Sequence, residues 1–154
     1  MGIEIERKFL VKDDSWRTSA VGKKYHQGYL NSHKERTVRV RTIDSKGYLT
    51  IKGIAKGAVR AEYEYEIPVD DAREMLDGLC EEPLIEKTRY KVEHHGFVWE
   101  VDVFHGENQG LIIAELELDS KEQKFEKPEW IGAEVTGDSN YFNSNLIHHP
   151  YSQW

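Results

Sequence analysis

The stretch Ile3-Glu4-Ile5-Glu6-Arg7-Lys8-Phe9 decides the fold. Apolar and charged residues alternate along it, and in a β-strand residues i, i+2 and i+4 share a face, roughly 6.6 Å apart. Glu4, Glu6 and Lys8 therefore form one charged row, backed by Ile3, Ile5 and Phe9. The device recurs along the chain. Arg39 and Arg41 alternate with Val38 and Val40, and Thr50 and Lys52 with Leu49 and Ile51. Glu62, Glu64 and Glu66 alternate with Ala61, Tyr63, Tyr65 and Ile67, and a basic row of Lys87, Arg89 and Lys91 follows. Glu100 and Asp102 lie between Trp99, Val101 and Val103, and Glu115 and Glu117 between Ala114, Leu116 and Leu118. Some strands carry bases and others acids, which is what a site for metal ions and a polyanion needs.

With 154 residues the chain is read as a single domain, 1–154, long enough for a real core. A hydrophobic fraction of 38% beside 32% charged residues fits a globular protein, and the net charge of −7 disfavours nonspecific binding to nucleic acid or an anionic membrane. A phosphate ligand remains open to it wherever bases gather locally. The lone cysteine, Cys80, excludes an internal disulfide and suits a reducing compartment, so a cytoplasmic location is expected. Met1-Gly2-Ile3-Glu4 enters a strand without the apolar region of a signal peptide, and no apolar run approaches the ~20 residues of a membrane span.

Eight strand-like stretches are legible, at 2–11, 24–31, 35–43, 47–54, 58–68, 86–94, 97–104 and 111–119. The short links between many of them, such as Asp44-Ser45-Lys46-Gly47 and His94-His95-Gly96, favour antiparallel hairpins. A helix is expected over Asp70–Leu79 with Asp70 as its cap, and Ser120-Lys121-Glu122-Gln123 reads as a capping box opening a short helix that Pro128 ends. Further short helices are expected at Asp13–Thr18 and after Asp138-Ser139-Asn140. The charge rows are sorted by sign rather than interspersed as on a solubilising surface. The bulky apolar rows need cover, which amphipathic helices can supply. The expected architecture is mainly β: an eight-stranded antiparallel barrel, charged inside, with helices packed outside. Burying charge costs several kcal/mol for each uncompensated ion (an order of magnitude), so function rather than stability explains it.

Facing rows of Arg and Lys bind phosphoryl oxygens, and carboxylate rows hold hard divalent cations. Together they describe metal-assisted phosphoryl transfer. Competing motifs are weak. Lys52-Gly53-Ile54-Ala55-Lys56-Gly57 lacks Walker spacing, and neither Gly-x-Ser-x-Gly nor His-Glu-x-x-His occurs. His94-His95 and His148-His149 read as solvated pairs with at most adventitious metal binding, His26, His33 and His105 as edge or turn residues, and Cys80 as packing.

Glu4-Ile5-Glu6-Arg7-Lys8 is an E-x-E-x-K signature, and with the later rows the chain resembles the CYTH, or triphosphate tunnel metalloenzyme, superfamily, in particular its short bacterial inorganic triphosphatases. Gln27-Gly28-Tyr29-Leu30, Glu86-Lys87-Thr88-Arg89-Tyr90 and Glu134-Val135-Thr136 extend the likeness, the last as part of a helical tail. The resemblance implies a tunnel that hydrolyses a triphosphate to diphosphate and phosphate with Mg²⁺ or Mn²⁺, and a homodimer, for which no interface stripe is legible in the sequence. It makes Lys8, Arg39, Arg41, Lys52, Lys87 and Arg89 the phosphate clamp, with Arg60 as an extra contact. Glu4, Glu6, Glu62, Glu64, Asp102, Glu115 and Glu117 form the acid set around the metals, and Tyr29, Lys52 and Lys87 are implied as catalytic, Tyr29 covering the tunnel and pairing with a lysine such as Lys52. Asn140 stands where the family pattern has a basic residue, which leaves a substrate contact from the C-terminal helix open. The alternative readings are a class IV-type adenylyl cyclase or thiamine triphosphatase, a non-catalytic polyphosphate- or nucleotide-binding barrel, and a structural barrel with its charges outside.

Overall fold

The computed structural model describes residues 2–154, apart from the side chain of Ser19; Met1 lies outside them. Nine strands form: β1 (Ile3–Val11), β2 (Gly22–Asn31), β3 (Arg36–Ile43), β4 (Lys46–Gly53), β5 (Val59–Ile67), β6 (Glu81–His94), β7 (Phe97–Phe104), β8 (Ile112–Glu117) and β9 (Ile131–Glu134). Helices are few, chiefly α1 (Val69–Gly78) and the single turn α2 (Asn143–Leu146), with 3₁₀ turns at Ser15–Ser19 and Ser139–Tyr141. The strand order is β5-β4-β3-β2-β6-β7-β8-β1, and β1 returns to pair with β5, so eight antiparallel strands close on themselves. Closure is possible because β1 has two edges in use. Ile3 and Ile5 face Ala61 and Val59 on one side, while Glu6 and Lys8 face Glu117 and Glu115 on the other. Past the point where β5 leaves, β9 takes the free edge, with Phe9 opposite Glu134.

The period-2 alternation puts the charged rows inside, but the inside is not uniformly charged. Tyr29 on β2, Ile85 on β6, Phe104 on β7 and Ile113 on β8 occupy the same inward rows as Gln27, Lys87, Asp102 and Glu115. These four pack with Leu111, Leu146 and Ile147, so one end of the barrel is an apolar floor sealed by the C-terminal segment. Outside the wall, Phe9, Trp16, Trp99, Val101, Leu116 and Trp130 form the largest core cluster. Its rings meet edge to face, with Phe9 and Trp99 centroids 5.5 Å apart and Trp99 and Phe125 5.7 Å apart. A third cluster joins Val40 of β3 to Ala72 and Leu76 of α1.

Several elements differ from the sequence expectation. The 120–123 capping box closes only a turn: Gln123 Oε1 accepts from the Asp119 amide at 2.6 Å, yet no helix follows. The segment instead crosses the outer wall so that Phe125 can cover Phe9 and Trp99. Cover on that side thus comes from a loop, β9 and the 3₁₀ turn Ser15–Ser19 that carries Trp16, near the short helix expected at Asp13–Thr18, rather than from a longer helix. Glu134-Val135-Thr136 ends β9 and is not helical. The α1 helix starts at Val69, with Pro68 in the capping position and Asp70 and Asp71 in the first turn, where acids favour the helix dipole. Strand β6 begins at Glu81, earlier than its charge row suggested, because Pro83 reads as a strand breaker in sequence. An apolar stripe does reach the surface: Ile3, Ile51, Tyr63 and Tyr65, on neighbouring strands, are 66%, 39%, 50% and 58% exposed. No described helix is long and apolar enough to cross a membrane.

Trp99 is fully buried at the centre of the outer cluster. Trp99→Ala is expected to cost about 3–5 kcal/mol, whereas Glu66→Ala, on an exposed residue, should stay within about 0.5 kcal/mol. Urea unfolding midpoints of the two variants check this; a Trp99→Ala midpoint near that of the unsubstituted chain would place the core elsewhere.

Candidate active site

Above the apolar floor lies a cavity of about 320 Å³. Seven cations line it, Lys8, Arg39, Arg41, Lys52, Arg60, Lys87 and Arg89, and seven carboxylates, Glu4, Glu6, Glu62, Glu64, Glu100, Glu115 and Glu117. Asp102 is not on the lining. It is fully buried, and its oxygens are taken by Arg89 Nε and Nη2 at 2.7 and 2.8 Å and by Lys87 Nζ at 2.7 Å. Counting Asp102, the interior carries eight acidic side chains against seven basic ones.

All the acids and bases expected from the sequence thus converge, with three shifts. Asp102 is the counter-ion that holds Lys87 and Arg89 in place, while Glu100, one row outward on the same face of β7, is on the cavity and pairs with Arg89 Nη1 at 3.4 Å. Lys91 and Glu66 are exposed and do not line the cavity. Lys52 lies between Glu4 and Glu62, at 3.1 and 3.2 Å, and is not hydrogen-bonded to Tyr29, which borders the cavity from the floor cluster.

The C-terminal segment also contributes, at residues the charge rows could not reveal. Asn140 is exposed, its backbone amide bonded to Asp138 Oδ1, but Phe142, Asn143 and Ser144 line the cavity. The Phe142 ring faces Lys8 Nζ at 5.4 Å and the Arg60 guanidinium at 5.8 Å, as cation–π contacts. Asn143 Oδ1 accepts from Lys87 Nζ at 2.9 Å. The sequence signals were Asp138 as a cap, which does accept from the Asn140 amide, and the apolar side of the segment it opens, Tyr141, Phe142, Leu146 and Ile147.

Two observations show what the site lacks. Arg39 is only 8% exposed, donates through Nη2 to Thr50 and Glu64, and keeps its Nε buried without a partner among the described residues. An unmade bond to a buried charged donor is costly, about 1–3 kcal/mol or more. On the acid side, Glu6 and Glu117 have no ion-pair partner among the described residues. Burial, then the neighbouring Glu115 and Glu4, push the Glu6 carboxyl up to about 8. Burial would also raise Glu4, but Lys52 and Lys8 outweigh it and hold it down to about 2. Burial pulls the Lys87 ammonium down to about 7 against the opposing pull of Asp102.

Uncompensated carboxylates of this kind suit a hard divalent cation. The acids stand on several strands of the wall rather than in one nest. Among the described residues, the group with three donors within 4.8 Å of one another is His94, His95 and Glu126 on the outer surface, not the tunnel. A cation in the tunnel would therefore take a few carboxylates and complete its shell with water and phosphate oxygens, as Mg²⁺ commonly does.

A closed barrel whose inner wall sets a cation row against a carboxylate row, over an apolar floor, is a tunnel for a polyanion. The chain belongs to the CYTH domain family, whose model matches residues 2–151. Over all 154 residues it is 55% identical to the inorganic triphosphatase of Acetivibrio thermocellus, with 99% of that protein covered. It is 38% identical over 148 residues to the inorganic triphosphatase of Nitrosomonas europaea, covering 93% of this chain and 95% of that protein. A crystal structure of an inorganic triphosphatase superposes with a TM-score of 0.67 at 35% identity, covering 93% of this chain and 96% of that one.

The raised Glu6 carboxyl carries a pH dependence. Between pH 5 and 7 an unfolded Glu6 has already lost the proton that the folded, metal-free chain retains, so stability falls as pH rises through this window. Glu62 and Glu117 are raised as well and act with the same sign, whereas Lys87 acts oppositely only above about 7. Melting temperatures of the metal-free protein should decline from pH 5 to 7, and more shallowly in Glu6→Gln. An equal slope in both would mean that Glu6 is not held against its charge.

Proposed function

We propose that the tunnel hydrolyses inorganic triphosphate to diphosphate and phosphate, assisted by Mg²⁺ or Mn²⁺. The observation that carries this is that Arg39, with its partnerless Nε, and the uncompensated Glu6 and Glu117 all line one cavity. The 55% identity to an inorganic triphosphatase over the full chain supports the same reading.

Arg39, Arg41, Arg89 and Lys8 form the clamp on the phosphoryl oxygens, with Arg60 at its rim and Lys52 and Lys87 neutralising charge on the departing diphosphate. Glu4, Glu6, Glu62, Glu64, Glu115 and Glu117 hold the cations, directly or through water, and Asp102 acts through the two bases it holds. Tyr29 closes the cavity where it meets the floor. A divalent cation so held supplies charge neutralisation and activates the attacking water. The water oxygen bonds to a terminal phosphorus as the bridging P–O bond breaks.

A nucleotide or thiamine substrate would want a free aromatic face at the mouth. Tyr25 and Tyr48 do border the cavity, but the Tyr25 ring is already taken by Arg41 at 4.8 Å and Arg89 at 5.0 Å. The expected result of a phosphate-release assay is therefore fast turnover of triphosphate with Mg²⁺ or Mn²⁺, slower turnover of ATP and thiamine triphosphate, none in EDTA, and no cyclic AMP from ATP. Glu117→Gln and Arg39→Ala should each lower kcat/KM by about 100-fold or more while folding normally. Folded variants with near-normal rates would overturn the assignment of roles, and cyclic AMP without phosphate release would favour a cyclase.

A further inference from the structure

The deepest polar layer of the cavity is a chain of buried hydrogen bonds that crosses from the barrel wall to the C-terminal segment. Arg41 Nε donates to Gln27 Oε1 at 2.9 Å, Gln27 Nε2 donates to Asn143 Oδ1 at 3.0 Å, and Lys87 Nζ donates to the same oxygen at 2.9 Å. The two amides have no freedom to flip. A guanidinium and an ammonium can only donate, so the atom facing each must be the amide oxygen, and Gln27 is left with its NH₂ toward Asn143. Gln27 is fully buried and Asn143 is 9% exposed.

The consequence is directional. The Lys87 ammonium has three protons; Asp102 Oδ2 takes one at 2.7 Å and Asn143 takes the second. Lys87 borders the cavity, and apart from the Phe104 ring 5.4 Å away its third proton has no partner among the described residues, which leaves it available to an occupant. Arg41, also on the cavity lining, is held through Nε by Gln27 and lies over the Tyr25 ring at 4.8 Å. Neither orientation is set by the barrel alone. Asn143 is carried by α2, and α2 is seated by Leu146 and Ile147 in the apolar floor, at 0% and 3% exposure.

Resting on the triphosphatase reading above, we propose that Asn143 is a positioning residue: its side-chain oxygen aims Lys87, and through Gln27 also Arg41, at the phosphates, so that docking of the C-terminal segment completes the clamp. Because Oδ1 accepts both hydrogen bonds, a carboxylate at this position can replace the amide, whereas an isosteric hydrocarbon cannot. A merely space-filling role predicts the reverse order.

The experiment is steady-state hydrolysis of Mg²⁺–triphosphate by the full chain, with Asn143→Asp, Asn143→Leu and Gln27→Met alongside, each checked for folding by its melting transition. Asn143→Leu and Gln27→Met should lose on the order of 10–100-fold in kcat with little change in KM, since the other cations still bind, and Asn143→Asp should recover most of the rate. Full activity in Asn143→Leu, or equal loss in folded Asn143→Asp and Asn143→Leu, overturns the inference while leaving the triphosphatase reading intact. Should Asn143→Leu fail to fold, Gln27→Met at the unsubstituted rate overturns it instead. Absence of triphosphate hydrolysis by the unsubstituted chain overturns the functional reading first, and this inference with it.

Discussion

The buried ion cluster of Asp102 with Lys87 and Arg89 is the interaction on which the rest of the structure depends. Three charges enclosed in a barrel are tolerable only if they are paired with one another and well hydrogen-bonded. Here Arg89 grips Asp102 with two nitrogens, reaches Glu115 at 2.8 Å with Nη2, and Glu115 in turn meets Lys8 at 3.4 Å. Strands β1, β6, β7 and β8 are thereby tied through their inward side chains as well as their backbones. Arg89 is held well above its ordinary value by Asp102 and its neighbours despite burial, and Asp102 well below its own by Arg89 and Lys87. The pair is fixed as ions, and a permanently charged wall results.

That wall relocates the hydrophobic core. A barrel of this size usually fills its interior with side chains; this one gives most of the interior to charge and builds its core outside, under Phe125 and Trp130 and under α1. Only the end sealed by Leu146 and Ile147 is apolar within. The division has a functional logic. The floor excludes water behind Lys87 and Asn143, where a low local dielectric strengthens each contact to an anion, while Glu6 on β1 and Glu117 on β8 remain without a cation among the described residues.

Much of this was legible in the alternation of residues. The row Glu4, Glu6, Lys8 and its partners on the later strands placed eight strands, their faces and nearly every charged residue of the cavity, because period-2 burial and sign sorting are both written in local sequence. What escaped depends on contacts distant in sequence. The alternation could not tell Glu100 from Asp102, since both point inward and only depth along the barrel separates them. Strand β9 has only four residues, one of them a glycine, and exists because β1 leaves an edge free. The 120–123 box carries the local code for a helix and yields to the packing of Phe125. Asn143 has no charge and no periodic neighbours, so its place in the site appears only when α2 docks.

The central claim is that polyanion and divalent cation occupy the tunnel together, each needed by the other. It is tested most directly by titrating Mn²⁺ into the protein and following free Mn²⁺ by electron paramagnetic resonance, with and without a non-hydrolysable imido analogue of triphosphate, and then titrating the analogue with and without Mn²⁺. The account predicts that each tightens the other by the same factor, as linkage requires. Analogue binding equally tight in EDTA, with Mn²⁺ affinity indifferent to the analogue, would contradict it.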